Sequence, residues 1–240
     1  MNRYIELLSK IDFEYWKEIN PYFSDNDLVN SSMKRALTTI QNKGFLLDFD
    51  PKTAADYVNS IESLINSFDE SNPNYDSLAR IFDLIQAWGG QMGKHPYVIT
   101  KSRFKFDVWK EDYLDGVSNA RSDKPVQALS SWLKISGLGA SFAPKHLRFW
   151  TSKYPVLDTR ISLLVSGSKK LLTKPEYYDE FLELIAPLSV KFGASILELE
   201  KALFAFSQNF FLNDKLEFKA NDLTDEPDFY IAKSLMNLSS

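Results

Sequence analysis

The sequence predicts an all-α protein, arranged as two helical lobes without a flexible tether. Three observations carry this expectation. Apolar residues recur at helical spacing in one segment after another. Each such segment is bounded by turn-forming residues. One segment alone, YVITKSRFKFDVW at 97–109, has the composition of a strand.

The elements follow in chain order. NDLVNSSMKRALTTIQNK puts Leu28, Val29, Met33, Leu37 and Ile40 on one stripe. TAADYVNSIESLINSF does the same with Ala54, Tyr57, Val58, Ile61, Leu64 and Ile65, and YDSLARIFDLIQAW with Leu78, Ile81, Phe82, Ile85 and Trp88. SDND, DFDPK and DESNPN precede these three runs, and Gly89-Gly90 follows the last. Further helices are expected over 109–120, 125–135, 142–152, 159–172, 175–187 and 194–208. Tyr177-Tyr178 and FAFSQNFF read as packing residues, and the acidic tail NDLTDEPDFYIAKSLMNLSS as a helix docked after a loop.

Composition removes several chemistries. The 240 residues hold no cysteine, so no disulfide, cysteine nucleophile or iron–sulfur cluster is expected. Two histidines, His95 and His146, do not by themselves make a zinc site of the usual kind. No apolar run reaches the roughly 18 residues that span a bilayer. MNRYIELLSKIDFEYW mixes acids with its apolar residues and has no signal-peptide core. The expectation is a cytoplasmic, metal-independent chain with no cofactor and no membrane partner.

Net charge is −4, which argues against a polyanionic partner until it is divided. Residues 1–100 carry −5 and residues 175–240 carry −7. Residues 101–174, with 14 basic and 6 acidic side chains, carry +8. A basic face of that kind is what phosphate binding requires, although an unevenly charged solvated surface has the same composition.

The basic part contains KPVQALSSWLKISGLGASFAPKHLRFW, read as helix, tight turn, helix. Val126, Leu129, Trp132 and Leu133 form the first apolar stripe, and Phe142, Phe149 and Trp150 belong to the second helix. Pro144 is tolerated in a first turn, where its missing N–H would have been unpaired. That sets the second helix to begin near Ser141, a candidate N-cap. Gly137 and Gly139 permit positive φ and close approach of a partner, and N–H groups at the following helix start favour an anion. A C-cap glycine followed by a turn glycine accounts for the pair equally well. Asp158 follows behind the apolar YPVL. It suits an N-cap for the 159–172 helix.

Gly137-Leu138-Gly139, the helix after it and Asp158-Thr159 together resemble the helix-hairpin-helix DNA glycosylases, and the wording is most similar to bacterial 8-oxoguanine-glycosylase-like proteins. In that family a Pro-Gly-Val-Gly hairpin precedes, at a similar distance, an aspartate in Val-Asp-Thr or Val-Asp-Val at a helix start. The motif covers about 25 of the 240 residues. The resemblance implies two helical lobes flanking a DNA- and base-binding cleft. The whole of 1–240 would form one glycosylase-like unit, with an N-terminal helical part (1–100), a basic hairpin and catalytic part (101–174) and C-terminal helices (175–240). It implies a monomer whose partner is double-stranded DNA containing a modified base, flipped out and excised to leave an abasic site.

Chemistry fits that residue choice. Cleaving an N-glycosidic bond builds positive charge on the sugar, which a carboxylate beside C1′ stabilises while orienting the nucleophile. The resemblance gives this role to Asp158. Bifunctional members carry a lysine two residues after the second hairpin glycine, where this chain has Ser141. Lys145 lies one helical turn further on, on roughly the same face. A helix N-terminus and neighbouring hydrophobes favour its neutral, nucleophilic form. A phosphate-binding or solvated lysine is the alternative. Gly137, Leu138, Gly139, Ser141, His146 and Arg148 are expected at the DNA backbone, and Arg160 beside a carboxylate or phosphate.

AWGGQMGKHPYV (87–98) is a second candidate. Trp88 or Tyr97 can stack on a base, Gly89 and Gly90 allow close approach, and Gln91 can read a base edge. A loop behind a glycine C-cap is the plainer account. The resemblance implies 8-oxoguanine as substrate. A bulkier base, such as the glucosylated hydroxymethylcytosine of phage DNA excised in antiviral defence, is the other expectation. A non-catalytic hairpin module for DNA, or a helical protein whose glycines only make turns, are the competing readings.

Overall fold

In the computed structural model, residues 3–18, 37–89 and 105–213 are described. Every regular element among them is helical, and no strand occurs. The chain divides into two compact units, one of residues 1–21 and 153–240, the other of residues 22–152.

The 22–152 unit is helical in all its regular elements among the described residues. Its helices are α3 (Ala54–Asn66), α4 (Tyr75–Gly89), α5 (Phe106–Arg121), α6 (Pro125–Trp132) and α7 (Ala143–Thr151). Residues 37–41 are helical as well. Of the predicted stripes, Leu37, Ile40, Tyr57, Ile61, Ile65, Leu78, Ile81, Phe82 and Ile85 are buried, Val58, Leu64 and Trp88 are half-exposed, and Leu28, Val29 and Met33 lie outside the described residues. Each buried side chain contributes about 1.5–3 kcal/mol when it leaves water. Thr53 and Asp56 close a reciprocal capping box at the start of α3. Two differences from expectation are clear here. The strand-like segment ends in helix, because Phe106, Trp109 and Tyr113 recur at helical spacing on a buried face. Residues 97–104 of that segment lie outside the described residues. The predicted 125–135 helix stops at Trp132, and 133–142 is turn and loop.

The other unit holds α1 (Arg3–Leu8), α2 (Phe13–Glu18), α8 (Thr159–Ser166), a 3₁₀ turn (Lys170–Leu172), α9 (Tyr177–Phe192) and α10 (Ile196–Asn213). Helices α1 and α2 were not anticipated, being too short to display a period. They are held by partners distant in sequence: in α2, Phe13 stacks on Phe192 at 4.8 Å and Trp16 meets Phe206 edge-on at 5.3 Å, while α1 packs on α8 and α9. The predicted 159–172 helix breaks at Gly167, whose φ of 68° ends α8 in the left-handed region. Helix α9 runs past its expected end, with the exposed Pro187 inside it. Ser195 and Glu198 cap α10, each side chain bonding the other's backbone N–H. Tyr178 is buried as expected, whereas Tyr177 is half-exposed beside Lys170 and Lys174.

Candidate functional site

The hairpin joins α6 to α7. Ile135 and Leu138 are buried and act as its anchors, and Leu138 N–H donates to the Ile135 carbonyl at 3.0 Å. Leu138 therefore faces the core and offers no side chain to a partner. Gly137 adopts φ 95°, a conformation in which any side chain is strained. Gly139 has no left-handed φ, and a Cβ added to it would meet nothing within 4 Å. Both glycines are exposed. Among the described residues the N–H groups of Gly137, Gly139 and Ala140 make no hydrogen bond.

Helix α7 begins one residue later than expected. Phe142, not Ser141, occupies the N-cap position, with no side-chain cap. The first N–H groups are met by backbone instead: Phe142 and Ala143 both donate to the Gly139 carbonyl, at 2.8 and 3.0 Å. Pro144 sits in the first turn as its missing N–H requires. The free donors of this region are thus on the hairpin rather than at the helix start.

Two faces of α7 have different fates. Lys145 is half-buried; its Nζ donates to the Ser141 carbonyl at 2.8 Å and lies 4.6 Å from the Phe142 ring centre. The amine thereby lies against the backbone of residue 141. Arg148 is half-exposed and makes no ion pair among the described residues. His146, expected at the DNA backbone, is fully buried and reaches no partner outside the fold. It stacks on Phe82 with ring centres 5.3 Å apart, and its Nδ1 lies 2.6 Å from the Tyr113 hydroxyl. Trp150 Nε1 donates to that same hydroxyl at 3.0 Å. Tyr113 thus ties His146 and Trp150 together through one hydroxyl, while His146 Nε2 is buried with no hydrogen bond among the described residues. Burial, and next the Lys145 charge, push the His146 pKa down to about 3. Amphipathicity is the cause: His146 shares the buried face with Leu147, Phe149 and Trp150, and an uncharged imidazole with a hydroxyl partner is tolerated there.

The second candidate region meets the first at α4. Trp88 is half-exposed and packs edge-on against Phe149 at 5.0 Å. Gly89 ends α4 beside Lys145 and Phe142, and the Lys145 side chain fills the room that Gly89 leaves. Gly90, Gln91 and Tyr97 lie outside the described residues.

Asp158 belongs to the other unit and is built from its own neighbours. Val156 and Leu157 are buried and fix the strand-like approach, while the Tyr178 hydroxyl donates to the Pro155 carbonyl at 2.6 Å. Asp158 is the N-cap of α8: Oδ1 accepts from Arg160 N–H at 2.9 Å and Ile161 N–H at 3.0 Å. Its Oδ2 takes no hydrogen bond among the described residues, and the side chain is half-exposed. The carboxylate is held in one orientation with one oxygen to spare.

Sequence reasoning missed Tyr113, Phe142 and Tyr178 as the groups that set His146, Lys145 and the Asp158 approach. Phe142 was findable, three residues before Lys145 on one helix face. Tyr113 and Tyr178 act across 33 and 23 residues, with no local signal. A groove of about 450 Å³ between Phe49, Asn59, Ser63, Leu64, Arg80 and Leu84 contains none of the predicted site residues. No helix among the described residues is long and apolar enough to cross a membrane. Comparison with protein-family models, with curated proteins and with solved structures finds no match to this chain.

Proposed function

We propose that the chain is a DNA N-glycosylase of helix-hairpin-helix type, which excises a modified base from double-stranded DNA. The observation that carries the reading is the return of the Lys145 amine to the Ser141 carbonyl, at the end of a hairpin with unused backbone donors. In this reading the N–H groups of Gly137, Gly139 and Ala140 hold a backbone phosphate, with Arg148 beside them as a further cation. Asp158 supplies the carboxylate that stabilises charge developing on the sugar, through the oxygen its cap does not use. Lys145 supplies the amine for attack at C1′, with the departing base taking the bonding electrons and a proton. The substrate is an 8-oxoguanine-like base or a bulky hypermodified base such as glucosylated hydroxymethylcytosine of phage DNA.

A second reading, a hairpin module that binds DNA without chemistry, is favoured by one fact. Capping α8 is by itself a sufficient reason for a carboxylate at Asp158.

The deciding experiment is free-base release, read by mass spectrometry, from plain, oxidised and phage hypermodified DNA. Release from one DNA, absent in Asp158→Asn, is the expected result. Borohydride should trap a DNA adduct that Lys145→Ala abolishes. Duplex binding without release from any DNA would leave the binding module as the reading.

A further inference from the structure

Gly89 is the last residue of α4, and its backbone does not require glycine, since its φ lies outside the left-handed region. Its surroundings do. A Cβ there would stand 2.5 Å from Lys145 Cδ, 3.2 Å from Lys145 Cε and 3.2 Å from Phe142 Cε1. Contacts under 3.0 Å are essentially never made by real Cβ atoms, so one partner would have to move. We infer that Gly89 is a positioning residue for Lys145: its missing side chain is the slot through which the lysine chain passes to set its amine beside the Ser141 carbonyl.

The slot has three walls. The backbone of Gly89 bounds one side, the Phe142 ring another, and the Ser141 carbonyl accepts the amine at the far end, 2.8 Å from Nζ. A lysine on an open helix surface samples many rotamers, and fixing them costs side-chain entropy. Walls that exclude the alternatives make that ordering part of the fold. Gly89 and Lys145 come from helices that are 56 residues apart in sequence, so the slot exists only once α4 and α7 have packed. The atoms that clash are at the far end of a flexible chain, so alanine at Gly89 displaces the lysine tip and leaves the helices together. Alanine also has the higher helix propensity, which opposes any loss of stability.

This inference rests on the glycosylase reading for its purpose, an amine held ready for attack, and on geometry alone for its existence. Its test therefore needs no DNA. The full-length chain and Gly89→Ala are labelled with a trace of isotopic acetic anhydride across a range of pH. Acetylation is read at Lys145 by mass spectrometry, with the exposed Lys134 as internal reference. The slot requires the Lys145 rate relative to Lys134 to change by at least about threefold, with an unchanged or raised melting temperature. An unchanged ratio at every pH overturns it. So does a lowered melting temperature with all lysines labelled alike, since Gly89 would then serve packing only. Failure of every DNA to release a base would remove the glycosylase and leave the slot standing. A silent Lys145 ratio alongside base release would do the reverse.

Discussion

Helix α8 begins with an acceptor of its own, and helix α7 does not. Asp158 Oδ1 takes two N–H groups at the start of α8, where a negative charge also meets the positive end of the helix dipole. At α7 the N-cap Phe142 offers no side-chain oxygen, and among the described residues the N–H groups of Gly137, Gly139 and Ala140 in the preceding hairpin are unbonded. The first start is complete within the chain. The second is met by the Gly139 carbonyl, and the donors left over belong to the exposed glycines ahead of it, with Lys145 and Arg148 following in the helix. Under the proposed function the two places take opposite partners, a developing cation beside Asp158 and a phosphate at the hairpin.

Charge and capping can be separated at α8. Asn caps a helix about as well as Asp, while Ala forfeits about 1 kcal/mol. Asp158→Asn is therefore expected to melt like the wild type and to lose base release by about 10²–10⁴-fold. Equal release by the two proteins would reduce Asp158 to a cap.

Next in size is the acid response of α7's buried face. His146 has a folded pKa of about 3, below the ordinary 6.5, so the unfolded chain binds the proton more readily. Its contribution is whole above pH 6.5 and declines as pH falls from there toward 3. The slope is about 1.4 kcal/mol per pH unit, or about 2 kcal/mol lost by pH 5. Urea denaturation at pH 7 and pH 5 reads this directly. His146→Gln should be less stable overall yet show little slope over that interval; a slope that survives the substitution would assign it to another group.

A smaller effect distinguishes the two hairpin glycines. Gly137→Ala must hold a side chain at positive φ and should lose about 1–2 kcal/mol. Gly139→Ala places its methyl in open space and should stay within about 0.5 kcal/mol, while weakening duplex binding by fluorescence anisotropy. If Gly139→Ala binds as the wild type does, the partner does not approach at that residue. Arg148→Ala is expected to do least: binding weakens alike for all sequences, and the salt dependence loses a slope of about 0.9. An unaltered salt slope would take Arg148 out of the phosphate contact.

Local rules made much of this legible. Helical periodicity set the buried faces of α3 and α4, because a helix core face is a matter of spacing alone. Pro144 bounded α7, and Asp158 could be read as the cap of α8, because both depend on backbone groups within one turn. Tertiary structure decided the rest. Lys145 and His146 are adjacent in sequence, and only the packing of Phe82, Tyr113 and Trp150 made one half-exposed and the other buried and neutral. Gly89 ends α4 as its sequence suggests, and only the packing of α7 shows that Lys145 lies where its side chain would be. Helices α1 and α2 were invisible because their partners come from the far end of the chain: α8 and α9 for α1, Phe192 and Phe206 for α2. Sequence determines what a residue can do with its near neighbours. Which distant groups desolvate it, orient it or crowd it is fixed when the helices pack, and in this chain those contacts set His146, Lys145 and the approach to Asp158.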